Sequence, residues 1–393
     1  MNHKNKRILL IAYYYPPFNN GGTQRIINFR KYLPQYGYDV DIVTTNALGS
    51  TDDEKGIYRY ADVGWSVARG NNKLIAYPMK VFKRIMVRLG LVGDETFFWK
   101  HEILNNIHKD VDMSSYDFIL ASFPQQTNLE IGLYLSKKFE IPLIVDYRDG
   151  LMYNPFKYII ASPFSKRRAQ NLEKELAAYA PLQITINSVI GNYYRKMYET
   201  KTIDIPNGFD DEEEFPFNEF EFPNGYNIVY TGALSLSRDN YSLSYLCKII
   251  EGNEGVNFIF IGNYTKEEKE NFRKYKNVFI YQPMERKKII PIQRESDILL
   301  LVTGDDPSGM TGKLFEYLFA KKPILNLGGN NVAAKIINET DSGKTIHPEE
   351  VKEVHQFIND VKNNQITFSH RNLSQYTRRE QCKRLAQHLD QLN

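Results

Sequence analysis

The stretch that most constrains the fold runs from Ser296 to Leu327 and reads SDILLLV, TGDDPSGMTG, KLFEYLFAKK, PILNL. Ile298 to Val302 is apolar without alternation, the pattern of a strand covered on both faces, as in a parallel sheet. Helical spacing follows, with Leu314, Leu318 and Phe319 on one face and Lys313, Glu316 and Ala320 on another. Pro323 withholds a backbone donor and ends the helix, and Ile324 to Leu327 makes a second buried strand. The loop between strand and helix holds Gly304, Gly309 and Gly312. Bare amides and the positive end of the helix dipole make such a helix start an anion site. Lys313 adds a charge there, and Glu316, one turn on, can accept two hydroxyl hydrogen bonds. A phosphate site beside a diol acceptor is the pattern of a nucleotide-sugar site. Glycine-rich turns also precede helices in any parallel sheet, and a Lys–Glu pair three apart also marks a solvated ion pair. The stretch alone leaves both readings open.

Length and composition narrow the class. A chain of 393 residues exceeds one ordinary core and suits two domains. Its hydrophobic fraction of 42% supports globular folding. A net charge of +3 is too small to imply a nucleic-acid partner, so only local basic clusters matter. Cys247 and Cys382 match no metal or redox spacing, which fits a reducing compartment. No apolar run approaches the ~20 residues that span a bilayer. Met1 to Arg7 followed by ILLIAYYYPP has the outline of a signal peptide, but three tyrosines and two prolines stand where a small-residue cleavage site belongs. The expectation is a soluble cytoplasmic protein.

Arg7 to Ala12 reads as a buried strand, YYYPPFNNGG as its loop, and a helix follows with Ile26, Phe29 and Leu33 on one face. Val40 to Thr45 is the next strand. This opening marks a doubly wound sheet, in which ligands bind beyond the carboxyl ends of strands. Gly21 and Gly22 allow close backbone approach to a ligand, with Thr23 as the helix cap, though a plain capped turn has the same signature. Residues 46–72 are polar and without period, as in a long loop or lid. In PMKVFKRIMVRLGLVG, Val81, Phe82, Ile85, Met86 and Leu89 recur at helical spacing, with Lys80, Lys83, Arg84 and Arg88 off that face. A basic amphipathic helix either lies on a membrane surface or packs on its own domain.

PLIVDYRDG reads as a strand plus loop that sets Asp146, Arg148 and Asp149 on the same rim as Gly21 and Gly22. They form either a functional cluster or a structural arginine–carboxylate network. After Pro206 comes the acidic run DDEEEFPFNEFEFPNG, which reads as a linker. The expected domains are 1–205, 206–370 and a terminal helix at 371–393, whose stripe of Cys382, Leu385, Leu389 and Leu392 suits it to fold back. The second half repeats the strand–helix style of the first, and its first turn, TGALSLSRD, supplies Gly232 and Arg238.

YYYPPFNNGGTQR, DYRDG, IPNGFD, YTGALSLSRD and GMTGKLFEYLFAKKPIL stand in the order and spacing of a known family. Over nearly its whole length the chain resembles the family-4-like retaining glycosyltransferases. The resemblance implies a GT-B fold: two Rossmann-like doubly wound α/β domains facing across a cleft, with a C-terminal helix packing back toward the first. The first domain would bind the acceptor and the second the nucleotide sugar. Glu316 matches the second glutamate of the family's Glu–seven–Glu motif, which holds the ribose. Arg238 and Lys313 would neutralise the donor diphosphate and serve catalysis. Gly232, Gly309, Met310, Thr311 and Gly312 would line the donor, with the amides of Thr311 and Gly312 on the phosphates, and Gly21 and Gly22 would approach it from the other domain. Asp146, Arg148 and Asp149 fall to the acceptor side, Arg148 and Asp149 with a part in catalysis. Two departures stand out. Ser308 replaces the motif's first glutamate, and no histidine follows the Leu143–Val145 strand.

Breaking a sugar–phosphate bond puts negative charge on the leaving diphosphate, where Arg238, Lys313 and the helix start would lower the barrier. Such a site needs no metal and no cofactor. The Asp-x-Asp pairs at Asp39/Asp41 and Asp110/Asp112 precede strands, on the wrong rim, and read as solvated. The expected partners are a nucleotide-sugar donor, a glycan or lipid-linked acceptor and a peripheral membrane surface, in surface polysaccharide or glycoconjugate synthesis. A nucleotide-sugar epimerase or hydrolase of the same fold, or a non-catalytic partner subunit, are the competing readings.

Overall fold

The computed structural model describes residues 5–18, 21–51, 55–70, 72–153, 162–234, 241–253 and 255–392. The chain divides into two compact units, Met1–Pro206 with Arg378–Asn393, and Asn207–Thr377.

The first unit is built on a seven-stranded parallel sheet. Its strands are β1 (Lys6–Ile11), β2 (Tyr38–Thr45), β3 (Ile57–Tyr60), β4 (Phe118–Phe123), β5 (Leu143–Tyr147), β6 (Leu182–Thr185) and β7 (Thr202–Asp204), in the order β3-β2-β1-β4-β5-β6-β7. Ile8 to Ile11 and Leu143 to Val145 are fully buried, which is why these runs lack alternation. The order reverses between β1 and β4, so their carboxyl ends flank the crevice where doubly wound sheets bind ligands.

The terminal helix Arg378–Asp390 belongs to this unit. Cys382, Leu385 and Leu389 are buried against Ile26, Phe29 and Tyr32 in one core, and Tyr38 donates a 2.6 Å hydrogen bond to Asp390. Each buried leucine stabilises the contact by about 1.5–3 kcal/mol.

The second unit carries β8 (Tyr226–Thr231), β9 (Val256–Ile261), β10 (Val278–Tyr281), β11 (Ile298–Gly304), β12 (Ile324–Gly328) and β13 (Gly343–Ile346). These strands are all parallel, in the order β10-β9-β8-β11-β12-β13. Its reversal lies between β8 and β11. Both expected sheets are therefore present as doubly wound α/β layers.

Three local expectations need correction. Residues 46–72, expected as a loop or lid, contain the edge strand β3 and the helix Val63–Arg69, capped by Asp62 accepting from Trp65 N at 2.9 Å. Both elements are too short to show a period. Thr23 does not cap the first helix, which spans Gly21–Tyr32; it lies inside that helix, fully buried. The basic helix spans Lys73–Arg88, and it does not segregate its cations from the buried side. Lys83 is buried, while Phe82, Ile85 and Leu89 are 45–50% exposed. Among the described residues no helix is long and apolar enough to cross a membrane.

Candidate functional site

In the second unit the organising loop runs from β11 to the helix Gly312–Ala320. Its turn is closed by its own residues. Asp306 accepts from Ser308 N and Ser308 Oγ, both at 2.8 Å, and Gly309 N donates to Asp306 O at 2.7 Å. The Ser308 hydroxyl is thus spent inside the loop. A Cβ on Gly309 would sit 2.8 Å from Asp306 O, so the turn requires glycine. Met310 then leads to Thr311, which stands at the helix cap without a capping hydrogen bond, its Oγ1 buried and unpartnered. Gly312 is exposed, and a Cβ there would meet nothing within 4 Å. The start of this helix is open beside Gly312, and its first turn is closed by Leu314 N donating to Thr311 O at 3.2 Å.

Lys313 crosses from that helix to the end of β8. Its Nζ donates to Tyr230 OH at 2.9 Å and lies 4.4 Å from the ring centroid. Gly232 makes room for it: its φ is +111°, and a Cβ there would fall 2.6 Å from Lys313 Nζ. Tyr317, on the same helix, is fully buried and accepts from Thr231 N at 3.2 Å, which fixes the helix against β8. Burial raises the pKa of that phenol, so it stays protonated. A cation and an open helix start therefore meet at the switch point between β8 and β11.

Glu316 sits one turn further, with its side chain 28% exposed. Its Oε1 is 3.7 Å from Arg286 Nη1 and its Oε2 is 3.4 Å from Gln293 Nε2. Arg286 in turn donates to Glu213 Oε2 at 2.9 Å. Tyr230, Arg286, Gln293 and Glu213 carry no local sequence signal; they become neighbours only through the fold. Arg238 lies outside the described residues.

In the first unit the three charges after β5 part company. Asp146 is fully buried and forks onto Arg25, with Nη2 at 2.8 Å and Nε at 3.1 Å; Ser122 Oγ donates to it at 2.9 Å. Arg25 also donates to Ile205 O at 2.9 Å, so this pair ties β5, the first helix and the exit of β7 together. The acceptor-side expectation for Asp146 is corrected on this ground: a carboxylate with no exposed surface and its lone pairs occupied cannot receive a substrate. Arg148 is half-buried, donates Nε to Phe123 O at 2.6 Å, and lays its guanidinium against Gly22. Burial lowers its pKa, opposed by Asp146 and Asp149. Asp149 is exposed. Gly22 thus gives close approach to Arg148, while Gly21 begins the helix.

Behind this loop lies a cage that the sequence did not announce. Glu173, fully buried, accepts from Tyr193 OH (2.8 Å), Tyr198 OH (2.8 Å), Tyr194 OH (3.0 Å) and Met152 N (2.9 Å). Burial raises its pKa, and these four donors oppose that shift.

Of the Asp-x-Asp pairs, Asp39, Asp110 and Asp112 are exposed as expected, while Asp41 is partly buried. Asp39 and Asp41 lie within β2, and Asp41 binds Arg7 and Tyr116. Asp110 accepts from Tyr60 OH and Asp112 caps a turn. Among the described residues no group of three or more His, Cys, Asp or Glu side chains could hold a metal ion.

No protein-family model and no curated protein sequence matches this chain. Solved structures do. Anabaena HepE in complex with UDP-glucose is 16% identical, with 98% of this chain and 99% of that one covered at a TM-score of 0.62. The lipopolysaccharide outer core galactosyltransferase WaaB is 12% identical, with 98% and 100% covered at 0.63. The fold is GT-B. A putative UDP-N-acetylglucosamine 2-epimerase from Listeria monocytogenes shares it at 11% identity, 98% and 97% coverage and a TM-score of 0.57. At such identities the likeness is one of fold.

Proposed function

We propose that the chain is a family-4-like retaining glycosyltransferase that moves a sugar from a nucleotide diphosphate to a glycan or lipid-linked acceptor in surface polysaccharide or glycoconjugate synthesis. The observation that carries this reading is Lys313 beside the open start of the helix Gly312–Ala320, with Glu316 one turn on. UDP and UDP-glucose in the HepE structures make UDP the first nucleotide to test. In the reaction the bond from the sugar's anomeric carbon to the β-phosphate oxygen breaks, and a bond to the acceptor oxygen forms. The acceptor proton leaves with the diphosphate or to a nearby carboxylate. Lys313 and the amides of Thr311 and Gly312 stabilise the charge that grows on the leaving diphosphate. Glu316 accepts from the ribose, and Gly309, Met310 and Gly232 shape the donor's surroundings, with Arg238 as a second cation. With fixed cations in that role, no metal is required, and turnover should survive excess chelator.

Arg148 and Asp149 serve the acceptor side. A membrane surface fits as a peripheral partner, because the helix Lys73–Arg88 exposes Phe82 and Ile85 among Lys80, Arg84 and Arg88 and contains no carboxylate.

A thermal-shift screen with UDP, GDP, ADP and their sugars tests the reading, since ligand at ~100 times its dissociation constant adds roughly 2.7 kcal/mol. No stabilisation by any of them overturns it. Sugar release or rearrangement without an acceptor, and no transfer with one, turns it into the epimerase or hydrolase reading that the Listeria fold-mate represents.

A further inference from the structure

We propose that Glu213 holds Arg286 back from a direct hydrogen bond with Glu316 and so leaves lone pairs of the ribose-binding carboxylate available, an inference that rests on the nucleotide reading above. Arg286 opens the helix Arg286–Glu295 and stands between two carboxylates. Its Nη2 donates to Glu213 at 2.9 Å, whereas its Nη1 makes only a long ion pair with Glu316 at 3.7 Å, beyond hydrogen-bond reach. That Nη1 is buried and has no hydrogen-bond partner. The guanidinium lies 5.5 Å from the centroid of Phe215, two residues beyond Glu213. Both partners come from the acidic segment that reads as a linker in the sequence.

A buried N–H without an acceptor is an unfavourable state, and a small swing toward Glu316 would cure it with a charge-assisted bond. Glu213 and Phe215 oppose that swing. The side chains of Arg286 and Glu316 are 19% and 28% exposed, so their attraction is only partly screened. If Arg286 closes on Glu316, the carboxylate has fewer lone pairs for ribose hydroxyls. Glu213 is thus a positioning residue that acts through Arg286. The sign separates this from simple charge: with one carboxylate fewer, the potential alone would favour an anionic nucleotide.

The test is calorimetric titration of UDP and GDP, and of their 2′-deoxy counterparts, into the parent, Glu213→Gln, Arg286→Gln and the double variant. Glu213→Gln is expected to weaken ribonucleotide binding about three- to five-fold, the range of a partly exposed ion pair. It should leave the deoxynucleotides nearly unchanged, so the preference for ribose shrinks. Adding Arg286→Gln removes the competitor and restores both affinity and preference. Unchanged or tighter ribonucleotide binding by Glu213→Gln, or no rescue in the double variant, overturns the inference and leaves the nucleotide reading standing. A parent that binds neither nucleotide overturns that reading, and this inference with it.

Discussion

The guanidinium of Arg148 occupies the space that a Cβ on Gly22 would need. Gly22 is therefore a seat for a half-buried cation at the carboxyl end of β5, held on its other side by Phe123 O. Gly22→Ala should displace Arg148 and lower transfer about ten-fold, the scale of a group misplaced beside the reacting atoms. Arg148→Ala should lose a similar amount, and the double variant little more, because both changes remove the same contact. Steady-state transfer rates of the three variants check this; additive losses would show that Gly22 serves something other than Arg148.

Asp146 and Asp149, three residues apart, should separate by their effects. Removing one partner of a buried ion pair costs about 3–5 kcal/mol, so Asp146→Ala should lower the melting temperature sharply. Asp149→Asn, at an exposed position, should leave melting nearly intact and lower turnover. Melting curves and rates on both variants decide it, and a large loss of stability in Asp149→Asn would make that residue structural as well.

On the donor side, Lys313→Met should weaken nucleotide diphosphate binding about ten- to a hundred-fold, as for a lost charged hydrogen bond. Glu316→Ala should weaken the diphosphate and the full donor by a similar factor, since the ribose is common to both. Ser308→Ala should change neither, because its hydroxyl is engaged with Asp306. Calorimetry with UDP and UDP-glucose checks all three. Unchanged UDP affinity in Glu316→Ala would sink the ribose assignment.

Glu173 should give stability a pH dependence of its own. Its folded pKa is raised above the ordinary value of 4.5, so the folded state holds the proton more tightly than the unfolded chain. That contribution is complete below the unfolded value and is lost as pH rises through the folded one. Glu173→Gln removes it. The melting temperature of the parent minus that of the variant should therefore be larger near pH 4.5 than at about pH 8. A difference that does not vary with pH would mean that the four donors cancel the effect of burial.

The exposed side of the helix Lys73–Arg88 should bind anionic lipid. Cosedimentation with vesicles rich in phosphatidylglycerol should fall when Lys80, Arg84 and Arg88 become Gln. Lys83 is left out of that set because it is buried, and changing it would confound binding with packing. A parent that stays in the supernatant would remove the membrane from the proposal.

Much of the fold was legible because it rests on local pattern. Non-alternating runs such as Ile8–Ile11 and Ile298–Val302 can only be strands covered on both faces, and they are. The helix after Gly312 and the buried stripe of Cys382, Leu385 and Leu389 follow from spacing alone. The edge strand β3 and the helix Val63–Arg69 were hidden because four and seven residues are too few to establish a period.

The sequence by itself determined most of the longer elements, the parallel sheets and the glycine loop that opens a helix at a strand end, since each depends on neighbours within one or two turns. Only the tertiary structure decided what the charges there do. Asp146 and Asp149 look alike in DYRDG, yet one is fully buried on Arg25, 121 residues away, and the other is exposed. Glu213 reads as linker, yet it holds Arg286 across 73 residues of chain. A charge acts through whatever lies within a few ångströms of it, and in a doubly wound sheet those neighbours are set by strand order rather than by position along the chain.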